Sequence, residues 1–311
     1  KGCCISSGHE LLCTGHEIVA TDGPCKVLTE AGIQAISAHE LTGSPEPLGG
    51  KIRALHPAIY TGIIANELSE EQLSELGDKD IYPIELVVVN CYPFVEDMEA
   101  GVDFKEAASH IDSTGVALLN AAAKNYLHTV VVCDPDDYDR VLCDLAAGAI
   151  PEDERRYFMY KAFSYTASYD ALVAQYLSHE LAIPFPKMYT VTYEKTQDMR
   201  YGENPQQSAV FYNEPFIRKG SLSSAKQLWG NELSHNNIND ANGALELLKE
   251  FGSTPAVVAC KHANPCGVGT GEDIYEAYMR AYTSDPVSVF GGILAINGTV
   301  DERTAEEINK I

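Results

Sequence analysis

Residues 257–269 read V-V-A-C-K-H-A-N-P-C-G-V-G. The β-branched and small apolar run Val257, Val258, Ala259 and Cys260 predicts a buried strand. That strand delivers Lys261 and His262 into a loop punctuated by Pro265 and Gly267. Reactive groups are concentrated on loops held by a rigid scaffold, and a Lys-His pair sets a cation beside a base that titrates near neutral pH. The plainer reading is a strand end with a solvated lysine and a capping histidine. Outward from this stretch, a helix is expected over 239–251, another over 273–282, a strand over 292–296 and a helix from about residue 301. Upstream, 193–212 reads as β-rich.

The 311 residues suffice for about two domains, and 45% hydrophobic with 22% charged residues describe a soluble globular chain. No apolar run is long enough to span a membrane. With 45 acidic and 22 basic residues the formal charge is −23, the wrong sign for a duplex nucleic-acid binder. A helix N-terminus and a few basic groups can still hold one small anion. The nine cysteines are irregularly spaced, as expected of reduced thiols in a cytoplasmic protein. Cys260, His262 and Cys266 lack the paired spacing of a zinc motif, so no metal is expected. The chain opens at Lys1 with no targeting signal and is expected to lack the native N-terminus. It is also expected to stop inside its last helix.

The first half alternates strand-like and helix-like pieces. Strands are expected at 17–20, 85–90 and 129–133, and helices over about 24–30, 104–111 and 117–125, with a T-D-G-P turn at 21–24. This alternation predicts an α/β domain with a largely parallel sheet. Residues 152–180 form a long helix by their apolar periodicity, with tyrosines read as packing. The P-F-P at 184–186 interrupts the pattern, and a domain boundary is expected near residue 190, giving domains 1–190 and 191–311.

Four segments of the second domain carry a resemblance: R-Y-G-E-N-P-Q-Q at 200–207, W-G-N-E-L-S-H-N-N-I-N-D at 229–240, K-H-A-N-P-C-G at 261–267 and D-P-V-S-V-F-G-G-I-L-A-I-N at 285–297. They resemble the transformylase domain of the bifunctional phosphoribosyl-aminoimidazole-carboxamide (AICAR) formyltransferase/IMP cyclohydrolase family. The first domain resembles the cyclohydrolase part of the same family through T-G-S-P-E-P-L-G-G-K-I-R-A-L-H-P at 42–57, N-C-Y-P-F at 90–94 and I-D-S-T-G-V-A-L-L-N-A-A-A-K-N at 111–125.

The resemblance implies a methylglyoxal-synthase-like first domain and part of a cytidine-deaminase-like second domain that uses no metal. It implies formyl transfer from the cosubstrate 10-formyltetrahydrofolate to AICAR, then ring closure to IMP, in a cytoplasmic homodimer. For formyl transfer it points to His262 as base and Lys261 as the group that meets the oxyanion or the leaving nitrogen. Arg200 and Tyr201 would hold the nucleotide, with Phe290 and Gly291 lining its approach. For ring closure it points to Tyr92, Asp112, Lys124 and Arg53, with Thr21, Gly23, Lys51, Asn90 and Gly115 against the substrate. Read singly, Asp112 is equally a helix N-cap, Tyr92 a packed aromatic and Lys124 a cation on a helix dipole.

Departures from the family pattern cluster in the first domain. Ala20-Thr21-Asp22-Gly23-Pro24 replaces S-T-G-G-T, removing hydroxyl donors and adding a carboxylate. Arg53 stands where the family has a catalytic lysine and Ala54 where it has threonine, and Ser113 and Thr114 take the place of I-G in D-I-G-G. In the second domain Gln206 replaces a histidine, and Asn231 and His235 also depart. A competing expectation is therefore a nucleotide-binding or scaffold homologue with a decayed first site. The family's transformylase domain is longer than the part present, so the chain is expected to be a fragment.

Overall fold

The computed structural model describes residues 11, 15–43, 54–65, 69–79, 81–216 and 219–311, the side chains of 97 and 99 aside. The chain divides into two compact units, 1–191 and 192–311.

In the first unit, β1 (Val19–Ala20) leads into α1 (Asp22–Glu30), then β2 (Ile36–Ser37) and α2 (Ala38–Thr42). Ser37 and Glu40 form a capping box at the start of α2, and Gly43 ends it at φ 61°. The T-D-G-P segment is not a separate turn. Asp22, Gly23 and Pro24 are the first turn of α1, where proline's missing N–H has no helical acceptor in any case. His56 and Pro57 start α3 (Pro57–Ile64), the His56 Nδ1 accepting the Ala58 N–H at 3.2 Å. Next come α4 (Glu70–Gly77), β3 (Leu86–Val88), α5 (Phe94–Ala100), α6 (Phe104–His110), α7 (Ser113–Lys124), β4 (Val130–Val132), α8 (Tyr138–Ala146) and the long α9 (Glu152–Glu180).

The strand pairs β1 with β2 and β3 with β4 are both parallel. Every residue of β4 is buried, and Val131 and Val132 pack with Leu119, Ile63 and Phe158 into one core. Alanines let α7 and α9 approach closely: Ala122, Ala123 and Ala162 are completely buried. Buried polar groups there are satisfied. Thr129 Oγ1 donates to Ile63 O or Ile84 O at 3.0 and 2.8 Å, and Asn125 Nδ2 donates to Ile63 O at 2.8 Å.

The second unit begins with the antiparallel hairpin β5 (Glu194–Met199) and β6 (Ala209–Asn213). Then follow α10 (His235–Lys249), β7 (Ala256–Lys261), β8 (Asn264–Thr270), α11 (Ile274–Ser284), α12 (Pro286–Val289), β9 (Ile293–Ile296) and α13 (Glu302–Ile308). The three strands are ordered β8-β7-β9, both pairings antiparallel. Alternation along β7 sends Val258 and Cys260 to a core with Ala244 and Leu248 of α10, and Val257 to a core with Ala277, Tyr278 and Ala281 of α11. The last helix closes at Ile308 with Asn309 as its C-cap, so residues 309–311 lie beyond it rather than inside it. Among the described residues no helix is long and apolar enough to cross a membrane.

Edge strand β8 lies directly on α11. A Cβ on Gly267 would overlap the Ala281 carbonyl, and one on Gly269 the Ala277 carbonyl. We expect Gly267→Ala or Gly269→Ala to cost about 2–3 kcal/mol through overpacking against backbone that cannot yield. Gly77→Ala, which meets open space in α4, should change stability by no more than about 1 kcal/mol. Urea unfolding of the three variants checks the contrast.

Candidate functional site

The Lys-His pair lies at a hairpin tip. Lys261 pairs with Asn264 across the ladder, so His262 and Ala263 are the two loop residues between β7 and β8. Both have φ 59°, the left-handed pair that a type I′ turn requires and that Asn-Gly usually supplies. Each non-glycine residue held there stores about 1 kcal/mol or more of strain. The expected loop after His262 is instead strand β8, with Pro265 opposite Cys260 on the sheet edge, where a missing N–H is tolerated.

Two contacts hold the turn. The buried Asp240 of α10 accepts the Ala263 N–H on Oδ1 at 2.5 Å. Gly243, one turn further along α10, leaves room for the Ala263 carbonyl, which a Cβ there would meet at 3.2 Å. His262 is exposed, and Lys261 Nζ donates to the Phe290 carbonyl at 2.7 Å. Gly291 sits at φ 70°, a conformation that favours glycine, and Gly292 lets the chain entering β9 approach Cys260 O. Asp285 caps α12 through the Ser288 N–H and hydroxyl, contacts that hold its carboxyl below the usual range. The result is an open cleft of about 320 Å³ lined by Lys261, His262, Asn264, Pro265, Cys266, Val287 and Ser288.

Arg200 and Tyr201 are not among the residues that line that cleft. Arg200 is exposed just beyond β5, in a loop closed on itself by Gly202 N–H to Gln207 O at 2.8 Å and Asn204 N–H to Gln207 Oε1 at 2.8 Å. Phe290 adjoins the cleft through its carbonyl, while its side chain is exposed. Among the described residues no cluster of three or more His, Cys, Asp or Glu could hold a metal ion. Cys260 is fully buried, and Cys266 Sγ donates to Ala259 O at 3.4 Å.

In the first unit a second constellation forms where the chain leaves β3 and enters α7. Asp112 caps α7, its Oδ1 accepting the Gly115 N–H at 2.9 Å and its Oδ2 the Tyr92 N–H at 3.4 Å. Tyr92 packs on His110 with ring centroids 4.8 Å apart. Gly115 sits close against its neighbours: a Cβ would meet Asp112 Oδ2 at 3.0 Å and Cys91 Sγ at 3.1 Å. Thr114 is buried. Asn90 is fixed from both ends, Nδ2 donating to Cys133 O at 2.9 Å and Oδ1 accepting from Tyr138 at 2.8 Å. Burial pushes the Cys91 thiol up to about 12, the Asp112 carboxylate adding to it.

Lys124 does not join this group. It is exposed in the last turn of α7 while Asp112 caps the first, which separates them by about 18 Å of helix axis. Thr21 is the extended N-cap residue of α1 without a side-chain capping bond, and Gly23 is exposed in the first turn. Lys51 and Arg53 lie outside the described residues.

The residues that sequence reading passed over are supports. Asp240 stood unmarked in the S-H-N-N-I-N-D string. Tyr165 and Tyr169 of α9 fall among the tyrosines read as packing, and Lys161 carries no sequence signal of its own. Lys161 Nζ bridges Asp134 Oδ2 at 2.7 Å and Asp137 Oδ2 at 2.6 Å. Partial burial works against its charge, yet the two carboxylates outweigh that and raise its pKa. For the turn, Ala263→Gly should stabilise the second unit by about 1 kcal/mol by relieving the left-handed strain. Asp240→Ala should cost about 1.5–3 kcal/mol by removing a charged acceptor from a part-buried N–H. Denaturant unfolding reads both, and a destabilising Ala263→Gly would contradict the strained-turn assignment.

The AICARFT/IMPCHase bienzyme family matches residues 122–311, and an MGS-like domain matches 4–117. The chain is 47% identical over 310 residues to the bifunctional purine biosynthesis protein PurH of Acetivibrio thermocellus, covering 99% of this chain and 60% of that protein. It is 49% identical over 306 residues to the PurH of Bacillus mycoides, covering 97% and 59%. The chain thus spans about 60% of the length of the curated relatives it matches. The crystal structure of ForH is similar at 33% identity and a TM-score of 0.50, over 56% of this chain and 93% of that one. The chain is α/β, with an MGS-like domain ahead of the bienzyme match, and it belongs to the AICARFT/IMPCHase bienzyme family.

Proposed function

We propose that the chain is part of a cytosolic, homodimeric enzyme of de novo purine synthesis. The second unit would contribute to formyl transfer from 10-formyltetrahydrofolate to AICAR, and the first would close the product to IMP. The observation that carries this reading is the Lys261-His262 tip over its cleft, in a chain whose family models follow one another along nearly its whole length.

The amine to be formylated is conjugated to the ring and weakly nucleophilic. A base must take its proton as the formyl carbon is attacked, and His262 is exposed at a tip where a substrate can reach it. Lys261, a neighbour in sequence, supplies a cation for the oxyanion or the departing folate nitrogen. Arg200 and Tyr201 would hold the nucleotide from residues outside the cleft. In ring closure the carboxamide nitrogen attacks the formyl carbon and water is lost, which needs a proton acceptor and donor. The Asp112 carboxylate, which accepts the Tyr92 backbone N–H, and the Tyr92 phenol would do that work, Asn90 and Gly115 would frame them, and the α1 N-terminus with Thr21 and Gly23 would take the phosphate. Lys124, Arg53 and Lys51 retain roles in this proposal through the family resemblance alone.

Asp22 is exposed in the first turn of α1, where its charge already compensates the helix dipole and opposes a phosphate. Ring closure should therefore be slower than in a chain carrying Ala20→Ser, Asp22→Gly, Pro24→Thr and Arg53→Lys. Regaining a hydrogen bond to a charged group contributes about 1.5–3 kcal/mol, or about tenfold to a hundredfold in rate or affinity. Assay of formylated-nucleotide closure by both chains decides it. Equal rates would mean the four departures are neutral, and failure of both chains to bind the nucleotide would overturn the cyclohydrolase reading.

A further inference from the structure

Helix α9 places Lys161, Tyr165 and Tyr169 at four-residue intervals, hence on one face. Each meets a different segment at the same end of the parallel pair β3 and β4. Lys161 bridges Asp134 and Asp137, just after β4. Tyr165 Oη accepts the Cys91 N–H at 3.1 Å, just after β3. Tyr169 Oη accepts the Asp112 N–H at 2.9 Å, just before α7.

The last two bonds fall on the two chain segments that meet as Tyr92 N–H and Asp112 Oδ2. The two segments pack closely, since a Cβ on Gly115 would meet Asp112 Oδ2 at 3.0 Å and Cys91 Sγ at 3.1 Å. Tyr169 is itself fixed: its ring is buried and packs edge-on to Phe94 at 6.4 Å. Burial pushes both phenols up, so they remain neutral hydroxyls across the working pH range.

We propose that Tyr165 and Tyr169 are positioning residues for ring closure, their hydroxyls setting the separation and aim of the Tyr92 and Asp112 groups without touching substrate. The inference rests on the proposed cyclohydrolase reading of the first unit. It differs from a packing role in one consequence: loss of either oxygen impairs the chemical step more than substrate binding or the fold.

The test uses the whole chain with Tyr165→Phe, Tyr169→Phe and, as control, Tyr160→Phe, whose side chain is exposed on the same helix. Closure of the formylated nucleotide is followed with melting temperatures recorded in parallel. The expected result is a fall in kcat of about tenfold or more for Tyr165→Phe and Tyr169→Phe, since small misplacements of reacting groups are costly. KM should be nearly unchanged and the control should match the parent. Unaltered kcat with a lower melting temperature, or a raised KM at constant kcat, overturns the proposal and leaves the cyclohydrolase reading standing. A parent chain that closes no ring overturns that reading and this inference with it. Should Tyr169→Phe be unfolded at the assay temperature, the half-buried Tyr165 carries the test alone.

Discussion

The first unit depends on the packing of α9 across α7 and β4. Its strands are two or three residues long and cannot by themselves align the segments that leave them. The helix supplies what the sheet lacks: Phe158 and Ala162 seal the core, and Thr166 Oγ1 donates to Asn120 Oδ1 at 2.9 Å to set its register on α7. From that fixed register its polar groups reach the strand ends. Lys161, Tyr165 and Tyr169 then act as acceptors and counter-charge for backbone and carboxylates that would otherwise be poorly satisfied.

The second unit reaches the same end by a different route. A sheet sandwiched between α10 and α11 holds a two-residue turn in a conformation that His262 and Ala263 would not choose. The carboxylate of Asp240 keeps it there. Strain concentrated at a residue with acid-base chemistry, and balanced by a buried support, is common where side-chain aim matters.

Much of this was legible in sequence because it rests on local rules. The 29-residue α9 follows from apolar periodicity, and β7 from V-V-A-C. Other elements depended on capping or pairing that a simple pattern hides. Helix α10 begins at His235, earlier than its apolar stripe, because Ser234 and Asn237 form a capping box. Pro265 and Gly267 read as a loop, yet on an edge strand facing α11 neither residue is penalised. Lys124 was grouped with Asp112 by family motif, although twelve positions on one helix set them at opposite ends. The supports Asp240, Tyr165 and Tyr169 left no motif, since their partners are backbone groups distant in sequence.

The most direct test of this account is amide hydrogen exchange at Cys91 and Asp112. If α9 holds these segments through Tyr165 and Tyr169, both amides in the parent chain should be protected like those of the core strand β4. Each should also lose protection when its own tyrosine becomes phenylalanine. Exchange at the rate of an exposed loop in the parent, or protection indifferent to both substitutions, would contradict it.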